Sequence, residues 1–376
     1  MSTSQMTRSP CTHVGHGVRI TLDWDYHRLA HIADQAIADL TAPHPRVTTL
    51  YTRLLADPQT LALWDLTGYM AVEKLGYNDH GQMHAQVVAA NALRLLHLLA
   101  CTEPFDLAQD RRSRSKGTDI EPDIVTSGAG TLEDAFLVVL AAALLHDVGN
   151  QVAREGHESY SVLLAQPVLA RHLPDLYSDP AQLQVLTSFI LSAIASHDCC
   201  PSPVTLEGAI VAVADGADMT QGRGQVAFDR GRADIHAVSA MAIREVTIRA
   251  GEETPVHIEV AMDNPAGLFQ VERMLGRKLA LSGLDRYVSL RACVASEEAE
   301  QAFHCLVLRD GRLEPETMPA PMDTAWSVDP VCGMAVAPEQ AADSVLFQGI
   351  RYHFCSSACL TYFRDDPSRY LQGERP

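Results

Sequence analysis

Residues 144–160 read LLHDVGNQVAREGHESY, and the reading of this stretch decides the rest of the chain. An apolar run from Phe136 closes on an adjacent His146-Asp147 pair, and Gly149 and His157 follow. The run AFLVVLAAALLHD has no polar break, so it predicts a buried helix, and Thr131 with Asp134 three residues on predicts a capping box at its start. An imidazole beside a carboxylate at the end of such a helix is either an ordinary polar terminus or a ligand pair for a metal ion. Other helix ends decide between the two.

Four more predicted helices offer the same side chains near a terminus. His84 opens the helix that continues HAQVVAANALRLLHLLA. His157 starts the next, His197 and Asp198 close AQLQVLTSFILSAIASHD, and Asp215 lies near the end of TLEGAIVAVADGADM. Packed as a bundle, these ends can converge on one pocket. Imidazole with carboxylate suits Mn, Fe, Co or Ni, and Mg less well because it prefers oxygen and water. Asp147 is the natural carboxylate to bridge two ions. His80, one turn before His84, is the rival for the first ligand. The chain has 16 histidines, and those outside this set read as surface or satisfied core residues.

At 376 residues and 47% apolar, the chain can bury a sizeable core. A net charge of −18 does not indicate nucleic acid as the main partner, although a local basic patch is compatible with it. The lysines are Lys74, Lys116 and Lys278 alone, read as compositional bias towards arginine. No apolar leader opens the sequence and no run is long enough to span a bilayer, so a cytoplasmic protein without membrane contact is expected. Nine cysteines do not read as a disulfide framework, and Cys11, Cys101, Cys199, Cys200, Cys293 and Cys305 read as small, partly buried residues.

The expected organisation is mainly α: a helical bundle, a small α+β unit and a small cysteine-containing C-terminal domain. Residues 1–75 read as an N-terminal helical segment and 76–235 as the core. Within the core, 106–130 (ending DRRSRSKGTDIEPDIVTSGAG) is charged and aperiodic and reads as a mobile insertion. Residues 236–310 alternate as strands around one helix, 311–325 form a Pro-rich linker, and 326–376 a compact module.

The order His84, His146-Asp147, His157, His197, Asp215 resembles the HD superfamily of metal-dependent phosphohydrolases, and LLHDVGN is similar to its HD-[IV]-G signature. The resemblance covers roughly residues 76–235 and implies an all-α HD bundle. It implies that His84, His146, Asp147 and Asp215 hold one metal, and that Asp147, His157 and His197 serve a second. Many two-metal members have His-His where this chain has His197-Asp198, and the related ribonuclease Y group has Lys at the position of Asn150. The implied reaction is hydrolysis of a phosphomonoester or phosphodiester on a small, nucleotide-like substrate, with Asp147 at its centre. Arg154 and Arg223, with Arg230 and Arg232 in the same glycine-bearing stretch, are candidate phosphate contacts, or else part of a solvated loop. The alternative is a metal-responsive binding or regulatory protein with an idle HD site.

The C-terminal DPVCGM and YHFCSSAC place Cys332, Cys355 and Cys359 in a metal-like pattern, with Cys355 and Cys359 on one helical face. The module resembles a YHS domain, a family associated with heavy-metal handling. Soft thiolates suit Zn or Cu(I). The fourth ligand is open between His353 and the Met334 thioether, and the module is expected to sense or deliver metal.

Overall fold

The computed structural model describes residues 11–15, 18–22, 24–100, 120–221, 223, 235–294, 304–309, 312–315, 327–332, 334–336, 341–347 and 350–371. Two compact units divide the chain, Met1–Pro315 and Glu316–Pro376. The fold is mainly helical, with a five-stranded sheet besides.

The first unit opens with a hairpin of β1 (Cys11–Gly15) and β2 (Val18–Leu22), then helices α1 (Trp24–Thr41), α2 (Pro45–Ala56) and α3 (Pro58–Gly68), the last running on through a π-helical turn to Lys74. The core helices follow as α4 (Gln82–Ala100), the single turn α5 (Asp123–Thr126), α6 (Leu132–Leu145), α7 (His157–His172), α8 (Pro180–Ser196) and α9 (Leu206–Ala217). α6 is the central element. The expected Thr131–Asp134 capping box starts it, and every residue from Ala135 to Leu145 is buried, as an all-round apolar helix requires.

Residues 1–75, read as an N-terminal helical segment, pack into the core: Ile37, Leu50, Leu54 and Trp64 share one cluster with Leu93 and Leu140. α1 packs on α4, and α2 on α6. Trp64 donates its indole N–H to the Leu144 carbonyl at 2.7 Å, so α3 satisfies a buried acceptor in the last turn of α6.

The expected mobile insertion is corrected where it is described. Residues 120–130 carry α5, with Ile124 fully buried. Glu207 accepts from the Ile124 amide at 3.0 Å, and Asp123 accepts from the Leu206 amide at 2.6 Å, which ties the turn to the start of α9. Residues 106–119 lie outside the described residues.

The α+β unit is a sheet in the order β3 (Ile243–Ala250), β4 (Val256–Met262), β5 (Val288–Val294), β6 (His304–Arg309), β7 (Arg312–Pro315). β4 and β5 are parallel and joined by helical residues 267–282, which close on Gly283 in the left-handed conformation. The sheet therefore runs to Pro315, past the expected end at 310 and into the expected linker, because β7 pairs with β6. Antiparallel register sets Cys293 opposite Cys305, and the two are joined as a disulfide instead of standing as separate thiols.

In the second unit β8 (Ser327–Val328) pairs β9 (Ala335–Val336), and β10 (Asp343–Phe347) pairs β11 (Ile350–Phe354). The helix Ser357–Asp365 packs Leu360 and Phe363 on Phe354. Among the described residues, no helix is long and apolar enough to cross a membrane.

Candidate metal centres

The helix ends meet as the sequence suggests. α6 and α8 end at His146-Asp147 and His197-Asp198, α9 brings Asp215 in its last turn, and α4 and α7 begin at or beside His84 and His157. Three C-terminal and two N-terminal helix ends thus meet with opposing dipoles, and the carboxylates supply the negative charge that favours a cation. Gly149 makes the turn after Asp147 possible. A β-carbon there would overlap the His157 carbonyl, and the Gly149 amide donates to Ser161 Oγ at 2.8 Å.

Imidazole orientation is fixed from behind. The Nδ1 atoms of His146 and His197 each lie 2.7 Å from the carbonyl three residues back, those of Ala143 and Ile194. His157 Nδ1 lies 3.1 Å from the Arg154 carbonyl, and His84 Nδ1 lies 2.7 Å from Asp218 Oδ2. With these protons donated, all four Nε2 lone pairs are left for the centre.

Two donor groups result. In the first, His84 Nε2 is 3.1 Å from His146 Nε2, 3.2 Å from Asp215 Oδ1 and 3.3 Å from Asp147 Oδ2. In the second, His157 Nε2 is 3.1 Å from His197 Nε2, 3.2 Å from Asp147 Oδ1 and 3.9 Å from Asp198 Oδ2. Donors about 2.1 Å from one ion lie roughly 3.0–3.4 Å apart, a range that all of these separations meet except that to Asp198, which stands further off. Asp147 is the shared member, one oxygen to each group. Asn150 donates to its Oδ1 at 2.8 Å and so sets its rotation.

The electrostatics call for positive charge. Burial and Arg223 work against a proton on His84, but Asp147, Asp215 and Asp218 outweigh them and push its pKa up to about 10. Burial likewise opposes a proton on His146, and Asp147 and Asp215 still raise it to about 9. Burial wins at His80, which drops to about 3 despite Asp147 Oδ2 at 2.6 Å from its Nδ1. Both His80 and His84 therefore reach Asp147, but His84 alone of the two joins His146 and Asp215. Despite burial, the neighbouring histidines hold Asp147 well below the carboxylate range.

A cavity of about 350 Å³ opens on this centre, lined by Tyr77, Asn78, His80, Arg154, Met274 and Arg223 among others. Arg154 hydrogen-bonds Asn150 Oδ1 at 2.9 Å beside the second group. Arg223 is clamped by the carbonyls of Asp79 and Asp218 at 2.9 and 2.7 Å beside the first. Arg230 and Arg232 lie outside the described residues.

Asp218 and Lys278 were not singled out from the sequence. Asp218 follows Asp215 by three positions and could have been found by that spacing. Lys278 is buried, with Nζ 3.0 Å from Asp198 Oδ1 and in contact with Asp215 Oδ2. Its signal was its rarity in an arginine-biased chain.

In the C-terminal unit Cys332, Cys355 and Cys359 gather with Asp329. The Cys332–Cys355 and Cys355–Cys359 sulfur separations are 3.5 and 3.7 Å, close to the edge of roughly 3.8 Å expected around tetrahedral zinc at about 2.3 Å. Asp329, and not the expected His353, gathers with the three cysteines. His353 lies within β11, paired with Ser344, whereas Cys355 has left the strand. Asp329 accepts from the Val331 and Cys355 amides, both at 2.9 Å, which fixes its carboxylate among the thiols. Met334 is exposed and outside the group.

Residues 327–374 match the YHS domain family, so the C-terminal unit carries a YHS domain. The chain is also 38% identical over 249 residues to the uncharacterized protein MJ1020 of Methanocaldococcus jannaschii, an alignment spanning 66% of this chain and 90% of that relative. At that likeness and coverage, the chain belongs to the same family as the archaeal protein. No solved structure matches it.

Proposed function

We propose that the helical core is an HD-type metal-dependent phosphohydrolase acting on a phosphomonoester or phosphodiester of nucleotide-like size. The observation that supports this most is Asp147, whose two oxygens face two separate imidazole pairs. His84, His146, Asp147 and Asp215 would hold one ion, and Asp147, His157, His197 and Asp198 a second. Mn, Fe, Co or Ni suits this nitrogen-rich set better than Mg. The metal would offset the charge of a phosphate as a nucleophile approaches it. Arg154 and Arg223 stand at the cavity wall beside the two groups and would hold phosphate oxygens. Burial of the histidines keeps bulk water from the donor atoms.

The test is turnover by full-length, Mn-loaded protein against a panel of phosphomonoesters, phosphodiesters and nucleotides. Turnover that disappears in Asp147→Asn supports the reading. The pairing of Asp198 with Lys278 favours a second one, a metal-responsive regulatory protein whose core holds metal without catalysis. Bound metal without turnover of any panel member selects it. In either case the YHS domain is read as a Zn or Cu(I) site that senses or delivers metal.

A further inference from the structure

Lys278 belongs to the α+β unit, not to the bundle that supplies the candidate ligands. Its helix, Arg277–Ser282, leaves a π-helical turn and leans on α9. The aliphatic stem passes over Gly216, where a β-carbon would lie 3.2 Å from Lys278 Cδ and 3.4 Å from Leu275 Cα. The ammonium ends between two acids of the candidate centre, 3.0 Å from Asp198 Oδ1 and against Asp215 Oδ2. A buried ion pair adds little stability over apolar packing of the same shape, so stability alone gives no account of this one.

The oxygens it takes are the outer ones. Asp215 turns Oδ1 to His84 and His146, at 3.2 and 3.7 Å, while Oδ2 meets the ammonium. Asp198 turns Oδ2 towards His157 at 3.9 Å, while Oδ1 meets the ammonium. One cation thus reaches both donor groups from behind. It leaves each acid a single oxygen for the centre.

We propose that Lys278 is a positioning residue that sets metal selectivity by holding Asp198 and Asp215 monodentate, so that the α+β unit completes the metal centre. The proposal rests on the metal-centre reading of the core. Hard ions such as Ca²⁺ take six to eight oxygens and favour bidentate carboxylates, whereas a nitrogen-rich shell with single oxygens suits transition metals. Removing the ammonium frees two oxygens. It also removes a positive charge, which strengthens binding of every divalent ion alike. The ratio of two affinities cancels that shared effect and isolates the change in coordination.

The experiment measures Mn(II) binding to the full chain by loss of the aqueous Mn(II) paramagnetic signal, with Ca(II) as competitor. Both are hard ions that thiolates bind poorly, so the cysteine site stays silent. Lys278→Met should lower the Ca/Mn dissociation-constant ratio by about tenfold, a typical scale for outer-sphere partners of ligands. Lys278→Arg, which keeps charge and donors, should hold the wild-type ratio. Lys278→Gln, which removes the charge and shortens the reach, should move the ratio as methionine does and serves if that variant fails to fold. A folded Lys278→Met or Lys278→Gln protein with the wild-type ratio overturns the proposal and leaves the metal-centre reading standing. Wild-type protein that binds neither ion overturns both.

Discussion

Gly149→Ala adds one methyl group at the turn that separates Asp147 from His157. The new β-carbon would overlap the His157 carbonyl and lie 2.5 Å from the Ser161 amide nitrogen. Both are backbone atoms, so neither can swing away, and the start of α7 has to move. Overpacking of this kind costs about 1–3 kcal/mol. Loss of the Gly149–Ser161 hydrogen bond costs about 1 kcal/mol more. Reduced freedom of the unfolded chain returns roughly 0.4–1 kcal/mol. The net expectation is a loss of about 1–4 kcal/mol, read as a fall in the urea midpoint followed by helical circular dichroism. Moving α7 also draws His157 Nε2 away from Asp147 Oδ1, now 3.2 Å apart, so Mn(II) affinity should fall about tenfold. Gly128→Ala is the control. Its φ is +70° with no atom near the added carbon, so it should cost about 1–2 kcal/mol of backbone strain and leave metal binding intact. Wild-type stability in Gly149→Ala, or reduced stability with undiminished metal affinity, would refute the reasoning.

Metal binding to the core should strengthen as pH rises towards about 10, with protons released. His84 and His146, at about 10 and 9, hold protons that an ion must displace, so low pH favours the metal-free form. Calorimetry in buffers of different ionisation heat reads this, and pH-independent affinity would count against the ligand set. Arg154→Ala should weaken binding of inorganic phosphate to the Mn-loaded protein without changing metal content; equal phosphate affinity removes Arg154 from the site. Asp329→Ala should lose Zn(II) affinity at the cysteine site while the core's Mn(II) affinity stays, and unchanged Zn(II) binding would exclude Asp329 as a ligand. Leu140→Ala, at the fully buried centre of α6, should cost about 2–5 kcal/mol, measured by the urea midpoint.

By itself the sequence determined what local chemistry dictates. The apolar run before His146, with Thr131 and Asp134 at its head, could only be a buried, capped helix, and the structure makes it the central one. Helical spacing likewise set His84, His157, His197 and Asp215 near helix ends. The alternation of residues 256–262 made a strand, and the cysteine spacing outlined the thiolate group. Tertiary structure decided what depends on partners distant in the chain. That Asp123 and Ile124 belong to a packed turn follows from Glu207 and Leu206, on a helix whose place no local pattern reveals. The opposition of Cys293 and Cys305 needs the register of β5 and β6. The choice of Asp329 over His353 needs the point where β11 ends and the chain turns. Lys278 is the clearest instance. Its helix could be read from the sequence, but an ammonium reaches Asp198 and Asp215 only because the sheet unit packs that helix on α9, with no side chain at Gly216 in the way.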